Sequence, residues 1–210
     1  MRTISTSTLL DHKLESIETT STITNKLLAE VCMAAKYEGE SISSQHGKHK
    51  ATNNESQLCT VLARSFADIG DIVRGKDPFY GNPQESAQRI ILQKNLKKIF
   101  GKIHSDVMKT SSNNKEVLKA RYKGDTTNYY QLREDWWTAN RETVWKAITC
   151  DAGQNAQYFR QTCGGDNESL SHASHKCRCK NKSFTEETDQ VPTYFDYVPQ
   201  YLRWFEEWAE

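Results

Sequence analysis

The sequence predicts a mainly helical protein, and three observations lead to that prediction. Four stretches carry apolar residues at the spacing of helix turns, Asn, Gly and Pro residues mark their ends, and no useful stretch alternates between apolar and polar residues. The chain has 210 residues and is only 36% hydrophobic, but it contains five Trp, nine Tyr and seven Phe. Because each aromatic ring buries a large area, we expect a core of few but large side chains.

The first part of the chain predicts a tail and one helix. Residues 1–22 are rich in Ser and Thr, and we expect a flexible polar tail before a domain that covers 23–210. Asn25 can cap a helix that Gly39 can end, and the polar residues 40–55 predict a loop.

The next two helices have clear boundary signals. One is predicted from Ser56 to near Gly75, with an apolar face along its length. The other is predicted over 83–109, because Asn82 can cap it and Pro83 suits its first position. The apolar residues on one side of this helix are Leu92, Leu96, Ile99, Ile103 and Val107.

The second half of the chain adds further helices separated by polar stretches. A short helix is predicted at KEVLKARY within the polar residues 110–128, and a long one over 129–148. The long helix is apolar over so wide an arc that we expect it near the centre of a bundle. Its apolar residues are Tyr129, Leu132, Trp136, Trp137, Val144, Trp145 and Ile148. After the polar stretch 151–190 we expect a closing helix with an aromatic face, formed by Tyr201, Leu202, Phe205 and Trp208.

The cysteine count favours a disulfide-stapled fold in an oxidising compartment. The six cysteines are Cys32, Cys59, Cys150, Cys163, Cys177 and Cys179, and their pairing is left open. Cys177 and Cys179 are too close to bond each other without strain. The alternative is a cytosolic protein with six reduced thiols.

A zinc site is a second reading of the same region. His172, His175, Cys177 and Cys179 are residue types that bind zinc, but the usual paired spacing is absent. We therefore favour a disulfide-stapled loop and expect no metal and no cofactor. No nucleophile-elbow or phosphate-loop pattern is present, so the sequence does not indicate an enzyme.

The formal net charge of +1 conceals a strong separation of charge along the chain. Residues 86–124 hold ten Lys and Arg against two acidic residues, whereas 183–210 hold one Arg against seven acidic residues. A row of lysines on the helix 83–109 is the candidate ligand-binding surface, and a polyanion such as a sulfated glycan suits it. The candidates are Lys94, Lys98, Lys102 and Lys109. The alternative is an ordinary solvated helix face, neutralised by the acidic C-terminal segment.

Several consecutive segments resemble the Duffy-binding-like domain, in the alpha type found in erythrocyte membrane protein 1, the variant surface adhesin of malaria parasites. The segments are LLAEVCMAAKYEG (27–39), QLCTVLARSFADIGDIVRGKD (57–77), NLKKIFGKI (95–103), LREDWWTANRETVWKAITC (132–150), YFRQTC (158–163), CRC (177–179) and VPTYFDYVPQYLRWFEEWAE (191–210). Their order and spacing are those of the family. The resemblance is to the central helical subdomain, truncated at its C-terminus.

The resemblance implies adhesion rather than catalysis. It implies binding to a host-cell receptor (a glycosaminoglycan, another red-cell glycan or a protein) in cytoadhesion or rosetting, and no nucleic acid. The expected location is the surface of the infected red cell, with membrane anchoring through parts of the parent protein outside this chain. A structural alternative is a scaffold subdomain whose receptor contacts lie elsewhere in that protein.

Overall fold

The computed structural model shows a mainly helical fold. It describes residues 23–48, 55–77, 81–109, 115–164, 170–180, 188 and 190–203. Within them lie five α-helices: α1 (Ile23–Lys48), α2 (Glu55–Arg74), α3 (Pro83–Lys109), α4 (Lys115–Tyr122) and α5 (Tyr130–Ile148). Two short strands, β1 (Gln161–Cys163) and β2 (Ser171–His172), and two 3-10 turns, Phe195–Tyr197 and Gln200–Leu202, follow. No helix in the described ranges is long and apolar enough to cross a membrane.

The boundaries of α2 to α5 agree with the sequence prediction to within one or two residues, but α1 is longer than predicted. It continues past Gly39 to Lys48, so the predicted loop 40–55 is wrong over its first nine residues. Gly39 does not end the helix. A Cβ atom at Gly39 would clash with the carbonyl oxygen of Ile148, so the glycine permits a close backbone approach instead.

The two strands were not predicted from the sequence. They pair antiparallel, with Gln161 opposite His172 and Cys163 opposite Ser171. Strands of three and two residues are too short to produce a recognisable alternation of apolar and polar residues.

The closing segment also differs from the prediction. Tyr201 is 71% exposed and Leu202 is exposed as well, so neither packs inward as part of an aromatic face. Arg203 is buried instead, and its Nε donates to the carbonyl oxygens of Phe195 and Val198. The predicted face residues Phe205 and Trp208 lie outside the described residues.

The chain divides into two compact units. Unit 1 consists of the described residues up to Ala34 and those from Asp71 to Asn140, and unit 2 of those from Ala35 to Gly70 and from Arg141 onward. Because the divisions fall inside α1, α2 and α5, each of these helices contributes residues to both units.

Each unit has a core built around large aromatic side chains. In unit 1, the rings of Phe100 and Trp136 meet edge to face at 6.1 Å, and Trp137 is fully buried. In unit 2, the rings of Phe66 and Trp145 meet edge to face at 5.2 Å. The buried tryptophans of α5 are therefore packing residues, as their helical spacing predicts.

Candidate functional site

The lysine row lies on the exposed side of α3. The Asn82 side chain caps this helix by accepting a hydrogen bond of 2.9 Å from the backbone N–H of Glu85. Its opposite side is buried through Leu92, Leu96, Ile99, Phe100 and Ile103, whereas the predicted Val107 is only half buried. Lys94, Lys98, Lys102 and Lys109 are all exposed, and at 100° per residue they fall within about 80° of arc. Their role in binding a ligand remains a prediction.

A cavity of about 490 Å³ opens beside the first turns of this row, within unit 1. Lys94 lines it together with Lys97, an exposed lysine that the sequence prediction left out of the row. The full lining is Ile72, Gly75, Asp77, Ser86, Arg89, Ile90, Leu92, Gln93, Lys94, Lys97, Asn128, Tyr130 and Arg133. Lys98, Lys102 and Lys109 do not line it, so the structure separates the predicted lysines into one cavity residue and three surface residues.

A buried arginine, Arg133, is one of the residues that line the cavity. Arg133 is only 2% exposed. Its Nε donates a hydrogen bond of 2.6 Å to the backbone carbonyl oxygen of Val73. Its Nη2 donates to the backbone carbonyl oxygen of Ile72 at 3.2 Å and to the side-chain oxygen of Gln93 at 2.9 Å. Its charged carbon lies 5.4 Å from the centre of the Phe100 ring. Burial lowers the pKa of Arg133 to about 10, which leaves the group charged at neutral pH. Among the described residues, no hydrogen-bond partner lies against its Nη1.

Gly75 makes room for this guanidinium. Its φ of 73° lies in the left-handed region, which suits glycine at the end of α2. A Cβ atom at Gly75 would lie 2.7 Å from Nη1 of Arg133. Gly75 and Arg133 both line the cavity, so the glycine that ends α2 leaves room for Nη1 at the cavity wall.

The two acidic residues that follow Arg133 have structural partners. The pKa of Glu134 lies below its usual value. Burial by itself would raise this pKa, but the hydrogen bonds from Lys76 and Arg74 have the larger combined effect. Asp135 accepts two hydrogen bonds of 2.6 Å from Arg121, which hold its pKa below the usual range, and one of 2.7 Å from the Tyr122 hydroxyl. These contacts attach α4 and the end of α2 to α5. Glu134 and Asp135 are therefore structural residues and are not two carboxylates that face each other across a cleft.

Unit 2 holds the cysteine-rich stretch, and four of the six candidate cysteines form two disulfides there. Cys59 of α2 is bonded to Cys177, and Cys163 of β1 to Cys179. The backbone takes left-handed φ values at His175, Lys176 and Cys177, so the chain turns sharply just before the bonded residue. The carbonyl oxygen of Cys177 accepts a hydrogen bond of 3.1 Å from Nε1 of the buried Trp145.

These bonds argue against the zinc alternative. Cys177 and Cys179 each belong to a disulfide, so neither offers a thiolate for a metal. The ring Nδ1 of His172 lies 2.9 Å from the carbonyl oxygen of Tyr158, within hydrogen-bond reach. Among the described residues, no group of three or more His, Cys, Asp or Glu side chains is arranged to hold a metal ion.

The other two candidate cysteines are free thiols, so the expectation of disulfides does not extend to them in this structure. Cys32 lies on α1, and burial raises the pKa of its thiol to about 11. Cys150 follows α5, where burial and a hydrogen bond to Asp151 raise the pKa of its thiol. A raised pKa keeps a thiol protonated and slow to react at neutral pH.

A second arginine organises the closing segment of unit 2. Arg141 of α5 donates two hydrogen bonds of 2.8 Å to the buried carboxylate of Asp196 and one of 2.8 Å to the carbonyl oxygen of Thr193. Its guanidinium also lies 5.7 Å from the ring centre of Phe66 and 5.2 Å from that of Tyr197. The acidic C-terminal segment, which the alternative interpretation of the lysine row invokes as its counter-charge, thus uses at least one carboxylate internally.

Sequence reasoning missed the two arginines of α5 as organising residues. The sequence analysis assigns no role to Arg133 or Arg141. A signal was available, because a helix that is apolar over a wide arc must place some of its charged residues on buried positions. Such residues need partners, since a buried charge without them is very costly.

The comparisons with known proteins identify the class of this fold. The family model described as the Duffy binding domain matches residues 5–203, and the match begins inside the segment 1–22 that the sequence predicts to be a tail. The chain belongs to the Duffy binding domain family. A search of curated proteins finds no match.

Within this family the chain is of the kind found in PfEMP1, the erythrocyte membrane protein 1 of the sequence resemblance. It is similar to the NTS-DBL1(alpha-1) domain of Plasmodium falciparum membrane protein 1 (PfEMP1) from the varO strain, with 43% identity over 97% of this chain and a TM-score of 0.68. It is also similar to the DBLbeta domain of PfEMP1 IT4var13, whose structure is that of a complex with ICAM-1, with 32% identity over 94% of this chain and a TM-score of 0.59. The chain spans 41% of the length of each of these two solved chains. The resemblance seen in the sequence is confirmed.

Proposed function

We propose that this chain takes part in binding a host-cell surface receptor, as a portion of a variant adhesin displayed on the infected red cell. The family supports adhesion in general, and the similar DBLbeta domain was solved bound to a host protein, ICAM-1. The observation that carries the proposal for this chain is the exposed lysine row of α3, because it presents charge of one sign to solvent on a rigid element.

A sulfated glycan is the ligand that fits the row by chemistry. Lys94 and Lys109 are fifteen residues apart, which is about 22 Å along a helix. Four lysines within one narrow arc over that length match an extended polyanion better than a compact ligand. Such contacts are largely ionic, so binding weakens as salt screens them.

The competing proposal is a scaffold role. It is favoured by the fact that the chain spans only 41% of each similar solved chain, so receptor contacts have ample room outside it. In that case the lysine row is a solvated face that keeps the protein soluble.

Binding of the folded chain to uninfected red cells, with and without soluble heparin, tests the proposal. We expect binding that heparin blocks and that weakens steeply with salt. The variant Lys94→Glu/Lys98→Glu/Lys102→Glu is expected to abolish binding without changing the circular dichroism spectrum. The matched control, Lys36→Glu/Lys48→Glu/Lys123→Glu, changes three other exposed lysines by the same total charge and is expected to bind.

Two results would contradict the proposal. Equal loss of binding in both triple variants would mean that only total charge matters and that the row is not a site. Absence of binding by correctly folded unmodified chain would favour the scaffold role.

A further inference from the structure

We propose that the cavity beside α3 binds a single acidic sugar residue, whose carboxylate or sulfate group is held by Arg133, Lys94 and Lys97. The inference deepens the proposed function and rests on it in taking the ligand to be a receptor glycan. It differs in assigning a compact pocket with defined contacts, where the lysine row offers only a charged surface.

The charge of the lining is strongly one-sided. Four cationic side chains and one carboxylate line the cavity. The carboxylate, Asp77, forms an ion pair with Arg89. Asp125, which does not line the cavity, acts on the charge of Arg133 from nearby. Among the described residues, no carboxylate forms an ion pair with Lys94, Lys97 or Arg133, so three positive charges border the same space.

Arg133 is the residue best suited to bind an anion, because its side chain is already held in place without a ligand. Its three hydrogen bonds and the Phe100 ring fix the guanidinium, while Nη1 remains beside Gly75 at the cavity wall. An already immobilised side chain loses little conformational freedom when it binds. A partly desolvated guanidinium also gains more from an anion than an exposed lysine does.

The remaining lining suits the body of a sugar. Tyr130 is 51% exposed and Ile90 is 56% exposed, and both border the cavity, so an apolar surface is available to a sugar ring. Nδ2 of Asn128 lies 3.3 Å from the Tyr130 hydroxyl, which restrains the tyrosine and leaves polar groups for sugar hydroxyls. The volume of about 490 Å³ falls within the usual range of about 300–1,000 Å³ for small-ligand sites.

The geometry specifies the acid group but not its source, because the guanidinium fork accepts a carboxylate and a sulfate equally well. The acidic sugar is therefore either a sialic acid or a sulfated sugar of a glycosaminoglycan. Titrations of the intact chain, followed by amide chemical shifts and calorimetry, separate the two. The probes are 3′-sialyllactose, a sulfated heparin disaccharide, lactose as the neutral counterpart, and inorganic sulfate.

We expect one of the two acidic sugars to bind saturably, with the largest shifts at residues around the cavity, and lactose not to bind. Lys97→Gln is expected to weaken that binding about tenfold, the size of one charge-assisted contact. Arg133→Lys keeps the charge but loses the fork and is expected to weaken it further. The control Lys123→Gln removes an exposed lysine that does not line the cavity and is expected to leave it unchanged.

Several outcomes would overturn the pocket. They are no saturable binding of either acidic sugar, equal binding of lactose, binding of inorganic sulfate as tight as that of the sugar, or equal effects of Lys97→Gln and Lys123→Gln. Because Lys97→Gln leaves α3 and Arg133 intact, it tests the site even if Arg133→Lys fails to fold. Red-cell binding that persists without small-sugar binding would reject the pocket alone, and the reverse result would reject the proposed function alone.

Discussion

Unit 1 and unit 2 are stabilised in different ways. Both disulfides lie in unit 2, where the described residues after α5 have little regular structure. In unit 1 the only described cysteine, Cys32, is a free thiol, and the helices are joined by buried packing and by paired charges such as Arg121–Asp135. Helices satisfy their own backbone groups, whereas irregular loops bury less surface per residue and depend more on covalent closure. We therefore expect removal of a disulfide to affect mainly unit 2, and a change in a paired charge to affect mainly unit 1.

The largest effect is expected from removal of the Cys59–Cys177 disulfide. The two residues are 118 positions apart. Loss of a loop closure near that length costs about 4.7 kcal/mol in the chain-entropy model. We expect Cys59→Ala/Cys177→Ala to lower the free energy of unfolding by roughly that amount, measured in urea. Hydrogen exchange should show amides of unit 2 losing protection before those of unit 1, and equal loss in both units would break the comparison.

The Cys163–Cys179 disulfide should matter less, because its residues are only 16 positions apart. A loop of about that length corresponds to roughly 3 kcal/mol. The variant Cys163→Ala/Cys179→Ala is the natural control for the first one, since both remove two sulfurs from the same unit. Thiol titration of the denatured, unreduced protein should give two free thiols per chain, and six would contradict the pairing altogether.

A smaller, pH-dependent effect is expected from Asp135→Asn in unit 1. Hydrogen bonds from Arg121 lower the pKa of Asp135 in the folded protein. A lowered folded-state pKa contributes stability above the unfolded value of about 3.9, and that stability is lost as pH falls through the folded value. Urea unfolding between pH 2.5 and 6 should therefore show a shallower acid loss for the variant. Parallel curves for the two proteins would show that the Arg121 pair does not stabilise unit 1.

The smallest effect, and one of opposite sign, is expected from Glu38→Gln in unit 2. Burial raises the pKa of Glu38, although a hydrogen bond from the Ser65 hydroxyl opposes this. A carboxyl with a raised folded-state pKa costs stability at neutral pH, and the cost is relieved as pH falls towards the unfolded value of about 4.3. The amide can still accept the Ser65 hydrogen bond, so we expect slightly higher stability at pH 7 and no gain at pH 3. A loss at pH 7 would mean that the charge itself is needed.

Sequence reasoning succeeded where the determinants are local. The start of α3 is set by Asn82 and Pro83, which act within one helical turn, and its bounds were predicted as observed. It failed at Gly39, because that glycine serves a contact with Ile148, more than one hundred residues away. The family could be recognised because its motifs are short and occur in a fixed order along the chain. The end of α1 was misjudged because it depends on a contact between residues far apart in the sequence.

The candidate site was predicted only in part for a similar physical reason. The lysines of α3 are visible as a helical pattern, and the structure leaves them exposed. The cavity depends on Arg133, whose acceptors on Val73 and Ile72 lie 60 and 61 positions away. The cysteine pairing was open for the same reason, since Cys59 finds its partner 118 positions further along.

The Cys59–Cys177 bond also has a mechanical consequence. When a chain is pulled from points outside a disulfide-closed loop, tension passes through the sulfur bridge and bypasses the loop. The 118 positions enclosed here correspond to a contour length of about 400 Å that pulling cannot release. The lysine row and the cavity both lie within that loop. Residues in this position are not stretched by tension applied to the chain outside the loop, for as long as the bridge stays oxidised.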